Sequence, residues 1–348
     1  AVLVGLCLLW AAPLAVAKKP DPHPERPRLL FVPHDNRPIS DEQTADTLRM
    51  MEWDIAVPPD DILGGRGILG DPEAVWQWLE KEAPAAQIAV VSSDTLLYGS
   101  LVGSRKHDYS LAEIEKRLHR FQEFKRRHPS LQLYVFGSIM RTPRSAEASG
   151  GEEPGYYASY GSDIFRYTAL SDKKETEGLT RRKEYEFLQK LIPQAALDDW
   201  MVRRDKNFKA SQRLIELARE GLFSYLALGR DDNAPYSQTH MESRKLQEAG
   251  QDLGPARFQA MAGIDEFGLM MLTRAVNDWT RTVPFVYVKY NWGRGGDTVP
   301  TYSDEKISDT VKAHITATGA LLVASPKNAD FVLCVNTNPN GKTYEAND

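Results

Sequence analysis

Short apolar, β-branched runs recur along the chain, and each gives way abruptly to polar, mostly charged residues, as in LLFVPHDNRP, IAVVSSD, LYVFGSIMR and YLALGRDD. An apolar run bounded by turn and charge signals reads as a strand buried on both faces. The runs RLLFV, DIAVP, QIAVVS, LQLYVFG, FSYLALG, FQAMAG, PFVYVKY, ALLVAS and DFVLCVN predict strands. Between them lie helical patterns such as DEQTADTLRMM, YSLAEIEKRLHRFQEFKRR and DEFGLMMLTRAVNDW. Strands alternating with helices predict an α/β fold: a mostly parallel sheet with flanking helices, either barrel-like or doubly wound.

From about residue 150 to 221 the alternation breaks, and the loop GGEEPGYYASYG leads into the charged stretches RRKEYEFLQKLI and NFKASQRLIELAREG, which predict a helical insertion. At the amino end AVLVGLCLLWAAPLAVA closes on Ala15-Val16-Ala17, the small-x-small form of a signal-peptidase site. Residues 1–17 are therefore expected to be a signal peptide, itself truncated because an initiating Met and a basic leader are missing, with residues 18–27 a Pro-rich linker. The protein is expected to be exported, periplasmic or extracellular. No later stretch is apolar enough to span a bilayer, so no membrane contact is expected after cleavage. Residues 28–348 then form the α/β domain, expected to be incomplete at its carboxyl end because FVLCVN is followed by a polar loop and no closing helix.

Composition narrows the classes. With 348 residues, 42% of them hydrophobic, the chain can bury a large core. A formal net charge of -5, without Lys/Arg runs interleaved with aromatics, argues against a nucleic-acid partner. Of the two cysteines, Cys7 leaves with the signal peptide, and Cys334 inside FVLCV is expected to be a small buried hydrophobe.

In parallel α/β folds the loops at the carboxyl ends of the strands build the ligand site. Here those loops are charged. After FSYLALG come Arg230, Asp231, Asp232 and Asn233; neighbouring carboxylates push their pKa values apart and suit acid–base chemistry, although Asp and Asn after a strand also cap and turn. In SSDTLLYGSLVGSR, Asp94 follows the strand, Tyr98 and Arg105 follow it, and Asp94 either serves the site or caps the next segment with Arg105 as its partner. Asp265 and Glu266 open a helical run, where capping competes with catalysis. Asp35 and Arg37 in PHDNRP, and Arg141 in IMRTPR, complete the ring.

The histidines lack metal-ligand spacing, no dinucleotide or phosphate-loop glycine pattern occurs, and no G-x-S-x-G elbow is present, so neither metal nor cofactor is expected. These residues predict a hydrolase acting on a glycan, with Asp231, Asp232, Asp94 and Glu266 as catalytic carboxylates. Asp35, Arg37, Tyr98, Arg105, Arg141, Asn233 and Asp265 are its expected binding residues, and Tyr156, Tyr157 and Tyr160 a sugar-stacking wall. The alternatives are a non-catalytic sugar- or peptide-binding protein and a divalent-metal-dependent hydrolase.

The segments VPHDNRPIS, SSDTLLYGSLVGSR, GYYASYG, GRDDNAPYS, AGIDEFGLMMLTR and ADFVLCVNTNPNG resemble, in order and type, the bacterial family known as domain of unknown function 4127. The resemblance covers nearly all of the mature chain. It implies an α/β fold and further residues beyond this amino-terminal part, and it carries no activity, substrate or catalytic residue. It also implies a Gln-like polar residue where this chain has Arg230.

Overall fold

The computed structural model describes residues 26–65, 67–178, 181–231 and 233–341, so the expected signal peptide and most of the linker lie outside the described residues. The first half runs β1 (Leu29–Val32), α1 (Glu42–Met50), β2 (Ile55–Ala56), α2 (Pro72–Glu82), β3 (Ile88–Ser92), α3 (Ser93–Tyr98), α4 (Leu101–Lys106), α5 (Leu111–Arg127) and β4 (Gln132–Ile139). Helices α6 (Ala146–Ser149), α7 (Tyr157–Glu177), α8 (Arg182–Leu191) and α9 (Gln194–Arg219) follow, then β5 (Tyr225–Arg230), α10 (Gln238–Ala249), β6 (Phe258–Ala262) and α11 (Phe267–Thr280). The chain continues through β7 (Phe285–Tyr290), α12 (Ile307–Ala317), β8 (Leu321–Leu322) and β9 (Phe331–Val335). Each apolar run read as a strand forms one.

The first six strands make one sheet in the order β2-β1-β3-β4-β5-β6, every pair parallel. It is open, with β2 and β6 at its edges, so the barrel-like alternative gives way to the doubly wound one. Alternate side chains explain why its strands read as unbroken apolar runs. Leu29 and Phe31 face Ala45 and Leu48 of α1 and Phe267, Met270 and Met271 of α11. Leu30 and Val32 face the opposite layer, with Val75, Trp76 and Leu79 of α2, Phe121 and Phe124 of α5, and Leu246 of α10.

Local signals fix the covering helices. Asp71 caps α2 by accepting from the backbone N–H groups of Glu73 (2.9 Å) and Ala74 (3.1 Å), with Pro72 at the first helical position. Ser110 and Glu113 form a reciprocal capping box on α5, whose Ile114, Leu118 and Phe121 recur on one face. In the inserted region, α7, α8 and the start of α9 enclose Tyr157, Ile164, Ile192, Leu197 and Trp200. The far half of α9 instead packs Ala210, Leu214, Ile215 and Ala218 against the large sheet. One helix thus serves both as part of the insertion and as the crossover between β4 and β5.

The last three strands form a second parallel sheet in the order β8-β7-β9. Its small core, Val286 with Ile315 and Ala320, takes in no residue of β9. Phe331, Val332, Leu333 and Cys334 are all exposed, which corrects the expectation that Cys334 is buried. The run FVLCV has the composition of a core strand, but among the described residues β9 is an edge strand paired only with β7.

Candidate functional site

The strand order reverses between β1 and β3, because the chain leaves β1 for β2 on one side and continues from β3 on the other. Doubly wound sheets bind ligands in the crevice outside the carboxyl ends at such a switch point. Directly after β1, Asp35 Oδ1 accepts the backbone N–H of Arg37 at 3.1 Å and Asp35 Oδ2 accepts Arg37 Nε at 2.8 Å. Arg37 Nη2 then donates to Asp265 Oδ1 at 2.7 Å, tying the loop after β1 to the loop after β6. Buried His34 places Nε2 3.0 Å from Ser40 Oγ, 3.1 Å from Arg37 Nη2 and 3.7 Å from Asp265 Oδ1. The nearby His34 ring, then the charge and hydrogen bond of Arg37, hold the Asp265 carboxyl well below the usual carboxylate range despite desolvation.

Asp94 stands in the first turn of α3, which starts where β3 ends. Its carboxyl is buried, and Oδ2 accepts the Ser138 backbone N–H at 2.8 Å. Burial pushes its pKa up to about 7, while the Ser138 hydrogen bond and the charges of His34 and Arg105 pull it down. The helix is capped by Ser92, whose hydroxyl accepts Thr95 N–H at 3.4 Å, so Asp94 is not the cap. Close packing here needs Gly137: a Cβ at that position would stand 1.9 Å from Ser93 Oγ.

On the other side of Asp94 two buried guanidiniums converge. Arg105 of α4 donates to Glu152 Oε2 (2.6 Å) and Asp231 Oδ2 (3.1 Å), rather than pairing with Asp94. Arg141, just past β4, donates through Nε to Glu153 Oε1 (2.7 Å) and through Nη2 to Glu152 Oε2 (3.1 Å) and the Ser149 carbonyl (2.7 Å). Its Nη1 lies 3.7 Å from Asp231 Oδ2. A cavity of about 480 Å³ opens beside this group, bordered by Lys106, Ser149, Gly151, Glu153 and Tyr157.

Arg230 turns the opposite way from Asp231, as successive residues leaving a strand do. It bonds Asp304 Oδ1 at 3.1 Å and also Glu305, so it belongs to the packing of β5 against the segment before α12. Asn233 is buried beyond it, with its backbone N–H on the Tyr302 carbonyl (2.9 Å) and its Oδ1 accepting from Ser237 (3.0 Å). Asp232 lies outside the described residues.

The fold thus gathers Asp35, Arg37, Asp94, Arg105, Arg141, Asp231 and Asp265 at one edge, and leaves others out. Glu266 folds back over Gly263 (φ +101°), and its carboxylate lies 3.4 Å from His314 Nε2. Tyr98 is a packing residue, buried and stacked on His107 with ring centroids 4.6 Å apart. The inserted tyrosines form no wall: Tyr157 is buried with its hydroxyl on the Pro143 carbonyl (2.8 Å), and Tyr156 and Tyr160 pack around it. Sequence reasoning missed His34, Glu152 and Glu153. His34 follows its strand as the named carboxylates do, a signal that metal-ligand spacing does not capture. The two glutamates sit in a loop read for its tyrosines. Among the described residues no group of three or more His, Cys, Asp or Glu side chains is arranged to hold a metal ion.

A family model described as "Protein of unknown function (DUF4127)" matches residues 29–348. No curated protein and no solved structure matches the chain.

Proposed function

The chain belongs to the DUF4127 family, and from that premise and the charged edge of its large sheet we propose that it is an exported hydrolase cleaving a glycan by acid–base chemistry. Asp94 donates the proton to the leaving oxygen, and Asp231, facing two guanidiniums, is the partner carboxylate. The observation that carries this reading is Asp94 itself: a buried carboxyl at the switch point whose pKa lies near neutrality, where a proton donor works best. Two carboxyls in contrasting surroundings, one desolvated and one paired with Arg, match the division of labour of a glycosidase pair. His34 and Arg37 keep the Asp265 side of the edge charged and hold its loop in place.

A second reading, a non-catalytic binding protein, draws on the burial of Arg105 and Arg141 and their bonds to Glu152, Glu153 and Asp231, a network that also suits a rigid recognition surface. Turnover separates the two. Asp94→Asn keeps an acceptor for the Ser138 N–H and removes the proton, so hydrolysis across a glycan panel should fall by roughly 10²-fold or more. The wild-type rate should decline above about pH 7 as Asp94 loses its proton. Unchanged turnover in a folded Asp94→Asn protein would eliminate Asp94 as the acid, and no turnover by wild type on any glycan would favour binding alone.

A further inference from the structure

We infer that Glu152 occupies the seat of a ligand carboxylate, and that the Arg105–Arg141 fork selects acidic, uronate-type sugars; this rests on the glycan reading above and specifies its substrate class. Both guanidiniums reach the same atom, Glu152 Oε2, at 2.6 and 3.1 Å. Arg105 projects from α4 and Arg141 from just past β4, and both are buried, so the fork is rigid. Planar guanidiniums in this arrangement are the usual receptors for a carboxylate.

The occupant differs from the fork that holds it. Glu152 comes from the loop Gly150–Gly155, in which Gly150 and Gly151 have φ of +58° and +77°. At Gly151 and Gly155 nothing lies within 4 Å of where a Cβ would stand. The Glu152 side chain is 24% exposed against 1% for Glu153, so Glu153 is the fixed counter-charge and Glu152 the one that can leave. A cavity of about 480 Å³ borders the same loop at Gly151, Glu153, Pro154 and Gly155.

Charge decides the class of ligand. A sugar carboxylate replacing Glu152 gives the two donors aimed at Oε2, one from each guanidinium, an anionic acceptor as before, whereas a neutral sugar would offer them only the weaker, uncharged kind, with Asp231 and Glu153 keeping their own bonds to the fork. The seat also adjoins Asp231, which shares Arg105 with Glu152, so a uronate held there lies next to the proposed partner carboxylate.

Calorimetric titration of the Asp94→Asn protein with trigalacturonate and with galactotriose tests this without interference from turnover. Trigalacturonate should bind at least about tenfold more tightly, a difference of about 1.4 kcal/mol. Glu152→Gln in the same background should tighten trigalacturonate by a further factor of roughly ten, because the internal competitor loses its charge, and leave galactotriose unchanged. Glu152→Asp, a shorter competitor, should shift affinity the same way by less and serves if Glu152→Gln does not fold. Arg141→Lys should erase the preference between the two sugars. Equal binding of the two sugars, or a folded Glu152 variant with unchanged or weaker uronate affinity, overturns the assignment. Uronate-selective binding without wild-type turnover would keep the fork and retire the hydrolase, while turnover of neutral glycans alone would do the reverse.

Discussion

The strands IAVVS of β3 and FVLCV of β9 are near equivalents in composition, yet every residue of β3 is buried and four of the five in β9 are exposed. The difference lies in what surrounds them. β3 is interior to the large sheet, with α1 and α11 on one face and α2, α5, α9 and α10 on the other. Among the described residues β9 is an edge, and its sheet shares a small core with α12. An apolar run therefore establishes that a strand forms, but cover is a property of the elements around it. The same contrast explains where the chemistry sits, since a layer clamped on both faces holds the loops at its carboxyl edge firmly enough to bury Asp94, Arg105 and Arg141.

The largest expected effect tests cover directly. Phe31→Ala, in a side chain that is fully buried between α1 and α11, should cost about 3–5 kcal/mol through lost contacts and a cavity. Phe331→Ala, at a residue 52% exposed, should stay within about 0.5 kcal/mol. Urea unfolding of both variants measures the gap. Comparable losses would mean that β9 is covered in solution and would break the comparison.

A smaller effect sharpens it by probing the covered edge with protons. Folded protein holds the Asp94 proton until about pH 7, whereas the unfolded chain releases it near the ordinary value of 3.8. Between those values the folded state binds more protons, so this group's contribution to stability falls as pH rises from about 4 to about 7, by on the order of 3 kcal/mol. Buried His107 acts in the opposite sense: burial lowers its pKa to about 4, so its contribution is lost as pH falls from about 6.5 to about 4. His107 is common to wild type and Asp94→Asn, so the difference between their stability–pH curves isolates Asp94. The variant should gain on wild type steadily from pH 4 to pH 7; parallel curves would show that Asp94 is not desolvated.

Much of this architecture was legible in the sequence, and the limits have physical causes. The strands announced themselves because burial on both faces removes polar alternation from β1, β3 and β5. The ring of Asp35, Asp94, Arg105, Arg141, Asp231 and Asp265 followed from one rule, that parallel strands deliver their following residues to the same edge. Pairings were not legible, because a loop 47 residues downstream in the chain supplies the partner of Arg105 and no local pattern encodes that meeting. Arg230 and Asp231 were grouped as neighbours, whereas strand geometry sends adjacent side chains to opposite sides. Glu266 looked equivalent to Asp265, yet the helix start turns it toward His314. Cys334 was misplaced because composition alone does not distinguish an edge strand from an interior one.

The smallest expected effect concerns chemical access rather than stability. Cys334 is exposed on β9, so iodoacetamide should modify it in native buffer nearly as fast as in urea, with the site identified by peptide mass. Attachment there adds bulk outside any packed core, and the modified protein should melt within about 0.5 kcal/mol of the unmodified one. Val90→Cys supplies the counterpart on the covered sheet: the residue is completely buried in β3, Cys packs as a small hydrophobe, and its thiol becomes reachable only when the sheet opens. The rate of labelling at position 90 should therefore track denaturant, while that at position 334 should not. Protection of Cys334 in native buffer, lifted by urea in parallel with Val90→Cys, would mean that the two sheets are equally covered, and the contrast between β3 and β9 would fail.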